Sequence, residues 1–250
     1  MKPDVYVWKA RRCPVLLAVL PIVLAVLAAF PGADWKLLLP LCTFCGLFML
    51  VSQVGRDRGS NLQDRLFESW GGKPTTLMLR HRGSPFDETT LGMLHRWLSA
   101  VTGVPAPSKR KESASPEDAD KVYDAFVRHL REATRDRQEY PLVFEENVSY
   151  GFRRNVWGLK PYGIAFAAMG IAGASISVFR FRDGPQLGPA LASTAVSAIL
   201  FFFWLGWVNP RWVRIPATAY AERLLEAALR MARAEPNDST KHVEAAPAAK

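Results

Sequence analysis

Four apolar runs, none with an acid or a base in it, constrain this chain more than anything else it carries. They are Cys13–Phe30, Leu37–Val54, Tyr162–Phe179 and Leu187–Val208. At a rise of about 1.5 Å per residue the first alone extends ~27 Å, enough to cross a hydrocarbon core with little tilt. The whole-chain averages hide this: 250 residues, 49% hydrophobic, with a mean hydropathy near zero, would pass for an ordinary soluble domain. Segregation of the apolar residues into blocks decides the class. The chain is expected to be an all-α membrane protein with four transmembrane helices, arranged as two hairpins with a helical module inserted between them.

A cleaved signal peptide competes for the first run, since Lys2, Lys9, Arg11 and Arg12 precede it. The run is long, however, and no small-x-small cleavage site follows. A second apolar run begins after only Pro31–Lys36, which favours a helical hairpin. Pro21 and Pro40 would kink the first two helices or sit near their ends. In the third run, Gly163, Ala167, Gly170 and Ala174 recur at spacings of three and four, so a neighbouring helix can approach the backbone closely. Trp204, Trp207 and Trp212 are placed like an interfacial belt at the end of the fourth.

This reading divides the chain into a cytosolic N-terminus (1–12), hairpin 1 (13–54), a cytosolic helical module with its juxtamembrane joint (55–160), hairpin 2 (161–208), a cytosolic amphipathic helix (209–234) and a disordered tail (235–250). The formal net charge of +9 is explained by basic residues flanking the apolar runs, the positive-inside pattern. No nucleic-acid partner is expected, because no zinc, helix-turn-helix or RNP-type pattern appears. The same pattern places the protein in a bacterial inner membrane, multi-pass, with both termini cytoplasmic.

Within the module, Gly55–Gly59 is expected to end the hairpin, and Ser60–Gln63 has capping-box spacing ahead of Leu62, Leu66 and Trp70. Gly71-Gly72 stops that helix. Lys73–Arg80 reads as a short helix. Ser84-Pro85 and Ser115-Pro116 each offer a serine N-cap and a proline at the first helical position. The helices they open carry Leu91, Leu94, Trp97, Leu98 and Val101, and then Ala119, Val122, Tyr123, Phe126, Leu130 and Ala133, on one face. Gly103–Ala114 between them reads as a mobile loop. A last helix, from about Pro216 to Ala234, either lies on the membrane or docks on the module.

Signs of chemistry are few. Gly71-Gly72-Lys73-Pro74-Thr75-Thr76 departs from a P-loop at two positions, since Phe67 and Pro74 stand where glycine and Ser/Thr are needed. Lys73, Thr75, Thr76 and Arg80 remain candidates for an anion contact. The stretch Tyr140–Gly163 holds the sharper cluster: Glu145, Glu146, Asn147, Tyr150, Arg153, Arg154 and Asn155. Glu146 and Tyr150 share a helical face, and Tyr150 shares it with the arginines. The cluster reads as a coupling latch or ligand site; alternatively Arg153, Arg154 and Lys160 simply anchor the helix in anionic headgroups. His81, His95, His129 and His242 show no metal spacing and read as surface or boundary residues. Cys42 and Cys45 form a CxxC inside an apolar run, where redox or metal work is not expected. No GxSxG or other nucleophile motif is present, so no enzyme, cofactor or metal is expected.

At GGKPTTLMLR, LREATRD and EENVSYGFRRNVWGLKPYG the chain resembles a group of uncharacterised bacterial multi-pass membrane proteins. In that group a PTT-and-LR segment precedes a YGFRRN joint between two pairs of spans. The resemblance covers roughly Leu66–Gly163 and implies the architecture above; it brings no activity with it. The layout alone is similar to membrane effectors of nucleotide-signalled phage defence, a likeness of arrangement rather than of residues. The expected function is a non-enzymatic membrane protein whose module senses a ligand or protein partner and alters the packing or oligomerisation of the bundle, as a membrane-disrupting or channel-like effector. A membrane scaffold acting through the last helix is the first alternative. A small oligomeric transporter of a neutral or hydrophobic substrate is the second.

Overall fold

The computed structural model describes residues 5–30 and 47–234. Among them there is no β-strand; the chain runs through ten α-helices. These are α1 (Cys13–Ala29), α2 (Leu47–Asn61), α3 (Gln63–Trp70), α4 (Pro74–Leu79), α5 (Glu88–Thr102), α6 (Lys109–Ala114), α7 (Pro116–Ala133), α8 (Pro141–Arg180), α9 (Leu187–Phe202) and α10 (Pro210–Ala234). Two π-helical turns, Val7–Arg12 and Phe203–Trp207, precede α1 and extend α9.

Three helices are long and apolar enough to cross a membrane: Val7–Ala29, Pro141–Arg180 and Leu187–Trp207. Three of the four expected spans are therefore seen. The other, Leu37–Val54, lies largely outside the described residues, as do the Pro31–Lys36 turn, Cys42 and Cys45, Pro40 and the tail after Ala234. The described residues form two compact units, here called the bundle and the module. The bundle comprises the described residues up to Glu68 together with Asn147–Ala217, and the module comprises Ser69–Glu146 and the described residues from Thr218 onward.

Close backbone approach organises the bundle. Gly55–Gly59 does not end a helix; α2 continues through it to Asn61, because those glycines form a packing face. A Cβ built on Gly158 of α8 would lie 2.6 Å from the Gly59 nitrogen and 2.7 Å from the Gly55 carbonyl oxygen. Only glycine on both sides allows that approach. The small-residue face of the third span is likewise occupied inside the chain. A Cβ at Gly170 would lie 2.6 Å from the Pro21 ring, so the proline within α1 meets a residue with no side chain. Gly163 lies against the Trp204 indole, and Ala167 and Ala174 are fully buried. α8 passes through Pro161 unbroken.

The module is built on helices α5, α7 and α10, whose apolar faces meet in one core. Leu94, Leu98, Tyr123, Phe126, Leu130, Leu224 and Leu225 are all fully buried in it. Burying each leucine contributes about 1.5–3 kcal/mol. Of the two placements open to the last helix, docking is the one seen: Ala221, Leu224, Leu225 and Ala228 complete this core. Arg223 and Glu226 remain on its wet side, paired at 2.7 Å.

Three local expectations are corrected. α5 is capped by Asp87, which accepts from the backbone N–H groups of Thr89 and Thr90; Ser84 instead donates to the Met78 carbonyl oxygen at 2.6 Å. An aspartate closer to the first turn wins the cap because its carboxylate also meets the positive helix end. Ser115 precedes α7 without a side-chain cap bond. Gly103–Ala114 is not simply a loop, since Ser108 caps the short helix α6 within it.

Candidate functional site

In the bundle, three consecutive residues of α8 each fasten a different segment. Arg153 Nη1 donates to the Trp212 carbonyl oxygen at 2.9 Å, and its guanidinium lies 4.9 Å from that indole's centre. Arg154 Nη1 donates to Gln63 Oε1 at 2.6 Å and lies over the Tyr150 ring. Asn155 Nδ2 donates to the Ala10 carbonyl oxygen at 2.7 Å. At 3.6 residues per turn, successive side chains point about 100° apart, so three in a row can reach three neighbours. Asn155 is 2% exposed, which gives its bond weight: an unmatched buried amide costs about 1–3 kcal/mol. Its other end, Oδ1, has no hydrogen-bond partner and lies 3.0 Å from where a Gly59 Cβ would stand. One turn further on, Lys160 Nζ donates to the Val208 carbonyl oxygen at 2.7 Å. Ser52 and Tyr6 lie at the same level, the first donating to the Arg11 carbonyl oxygen and the second lying against Gly151.

Of the residues expected to form the latch, Asn147, Tyr150, Arg153, Arg154 and Asn155 belong to the bundle, whereas Glu145 and Glu146 belong to the module. Glu145 is exposed and Glu146 half-buried; Glu146 supports the raised pKa of the exposed Arg223, whose main cause is its hydrogen bond to Glu226.

In the module, three of the four candidate anion contacts are engaged by carboxylates of α7. Asp124 takes both Lys73 Nζ and the Thr76 hydroxyl. Asp120 receives Arg80 through two nitrogens, at 2.9 and 2.5 Å, and Arg80 also donates to the Gly71 carbonyl oxygen. Thr75 is buried. Asp120 and Asp124, one turn apart on α7, thus clamp α4 onto it. The turn entering α4 requires glycine, with φ of +83° at Gly71 and +144° at Gly72.

Beside this clamp lies a polar knot that the sequence did not single out. Glu112 is 8% exposed. Its carboxylate accepts from the Tyr123 hydroxyl at 2.6 Å and from the backbone N–H groups of His81 and Arg82 at 2.8 and 3.2 Å. Burial pushes its pKa up, but these three donors pull it further down, leaving it below the usual value. Burial and the same carboxylate push the Tyr123 phenol well up. His95 is buried, not a surface residue. It bonds the Leu79 carbonyl oxygen through Nε2 at 2.8 Å and stacks on Tyr123 at 5.5 Å. Desolvation lowers its pKa, so it stays neutral near pH 7. His81 packs edge-on against it at 4.9 Å. Glu112 escaped notice because it stands in a Lys-rich stretch that reads as solvated. The available signal was Tyr123, a hydroxyl on the apolar face of α7 that needs a buried acceptor. No metal-binding group of three His, Cys, Asp or Glu occurs among the described residues.

No protein-family model, curated protein or solved structure matches the chain. What the fold defines is a class, a helical protein with apolar membrane-length helices and a compact polar module.

Proposed function

We propose that this chain is a non-enzymatic, four-span protein of the bacterial inner membrane whose cytosolic module receives a ligand or a protein partner and thereby changes the packing of the bundle. The outcome is a channel-like or membrane-disrupting effect. The observation that carries the proposal is the node at Arg153, Arg154 and Asn155. One short stretch holds three other segments of the bundle through single hydrogen bonds. The helix that bears it also contributes its first residues to the module. A rotation or a shift of about 1 Å in α8 breaks these bonds together, since hydrogen bonds weaken steeply with distance and angle. Packed helical interfaces respond to such shifts by switching rather than by deforming continuously.

The scaffold alternative loses support, because the apolar face of its proposed docking helix is spent in the module core. The transporter alternative has one observation in its favour: the Ser193 and Ser197 hydroxyls are buried in the bundle without hydrogen-bond partners. They suit a small neutral solute.

The test is membrane potential, read with a voltage-sensitive dye in bacteria expressing wild type or Arg153→Ala/Arg154→Ala at matched insertion. Releasing the node is expected to depolarise cells that wild type leaves polarised. An unaltered potential in both strains overturns the effector reading.

A further inference from the structure

The two units differ in the acceptors that several of their cations meet. In the module, Arg80 meets Asp120, Lys73 meets Asp124, Lys109 meets Glu88 and Arg230 meets Glu139. In the bundle, Arg154 and Lys160 donate to an amide and to backbone carbonyls, acceptors that leave their charge unbalanced. Lys160 also lies over Trp157, and two other cations rest on aromatic faces, Arg12 on Trp8 and Arg58 on Tyr162 at 5.4 Å.

These groups gather at one level of the bundle, because the bonds from Asn155 to Ala10, from Arg154 to Gln63 and from Lys160 to Val208 tie the four segments there. Across Val5–Arg12, Arg56–Asp64, Arg153–Lys160 and Asn209–Arg214 the sequence holds ten basic residues and two acids. Among them Arg56 pairs with its neighbour Asp57. The turn at the other end, Phe181–Gln186, has only Arg182 and Asp183, with Arg180 just before it. A cation lying on a ring directs its remaining N–H donors outward, and a guanidinium has five. Trp8 and Tyr162 are 46% and 37% exposed, the placement of aromatics at a membrane–water boundary.

We infer that this collar is a binding surface for anionic phospholipid headgroups, whose phosphodiesters supply the charge that the protein itself omits. The recognition is of a lipid class rather than of a soluble ligand, because the cations are spread over four segments that adjoin the apolar, membrane-length helices. This inference is independent of whether the module gates the bundle.

The test uses the purified full-length chain in vesicles mixing ordinary lipid with brominated phosphatidylcholine or brominated phosphatidylglycerol, with tryptophan quenching reporting relative association. Wild type is expected to favour the anionic lipid by roughly fivefold or more, since each basic residue near an anionic surface contributes about a fivefold preference. Lys9→Gln/Arg58→Gln/Arg211→Gln alters exposed positions outside the node and should bring the ratio towards one with an unchanged circular dichroism spectrum. High salt should do the same to wild type. Equal quenching by both lipids in wild type, or a preference that survives the triple substitution, overturns the inference. Competition by inorganic phosphate in excess overturns the lipid assignment.

Discussion

Replacing Gly158 by alanine tests the packing of the bundle at its tightest point. The new Cβ would stand 2.6 Å from the Gly59 nitrogen, 2.7 Å from the Gly55 oxygen and 3.0 Å from the Gly59 Cα. Comfortable contacts between such atoms begin near 3.5 Å, so α2 and α8 must part by about 0.8 Å. All three atoms are backbone, and no side chain can swing aside. Alanine gains about 1 kcal/mol of helix propensity over glycine, while overpacking of this kind costs about 1–3 kcal/mol. Separation also loosens Leu159, whose side chain lies on Gly55. The expected net result is a loss of up to about 2 kcal/mol. Denaturant unfolding in mixed micelles measures the loss, and hydrogen exchange across Leu47–Asn61 shows whether α2 is the helix released. Gly92→Ala is the control, because its Cβ would meet nothing nearer than Arg96 Nη1 at 3.6 Å; there the propensity gain should appear undiminished. If Gly158→Ala stabilises the protein as Gly92→Ala does, the close crossing of α2 and α8 is wrong.

Two further outcomes follow from buried polar groups. Asn155→Ala should cost about 1–2 kcal/mol, and Asn155→Asp about 2–4 kcal/mol, because a carboxylate would face the Ala10 carbonyl oxygen that the amide now satisfies; an aspartate variant as stable as wild type would exclude that bond. The module should lose stability in two acid steps, measured by hydrogen exchange at its amides after correction for intrinsic rates. His95 has a folded pKa depressed below 6.5, so its contribution is complete above that value and is lost as pH falls through it. Glu112 is depressed below 4.5, so its share is lost at lower pH still. His95→Phe should remove the first step and Glu112→Gln the second; steps that persist in the variants would assign them to other groups.

The sequence made the spans legible because a helix in lipid must be apolar along its whole length, and three such helices stand where the uncharged runs lie. The core faces of α5 and α7 were legible through their 3.6-residue period. The glycines at 55 and 59 read as a helix end, since a GxxxG enclosing three charges looks like one until its partner, Gly158, is seen a hundred residues away. Glu112 and His95 were hidden for a similar reason. Glu112 is buried among a hydroxyl and two backbone amides, and His95 against the Leu79 carbonyl oxygen and the Tyr123 ring, partners brought together only by the fold. Arg153, Arg154 and Asn155 stood out by composition, but their partners are backbone carbonyls and one glutamine, which no spacing rule identifies. Lys73 and Arg80 pointed to an anion, and the anions they meet are Asp124 and Asp120 of the same chain.

The most direct test of coupling between module and bundle is hydrogen exchange on the full-length protein in lipid nanodiscs, comparing wild type with Glu112→Ala. That substitution removes the acceptor for three donors inside the module. The account predicts faster exchange in the bundle at Val5–Arg12 and Arg56–Asp64, the segments fastened by Asn155 and Arg154, as well as in the module. Faster exchange confined to the module, with those two segments unchanged, would contradict it.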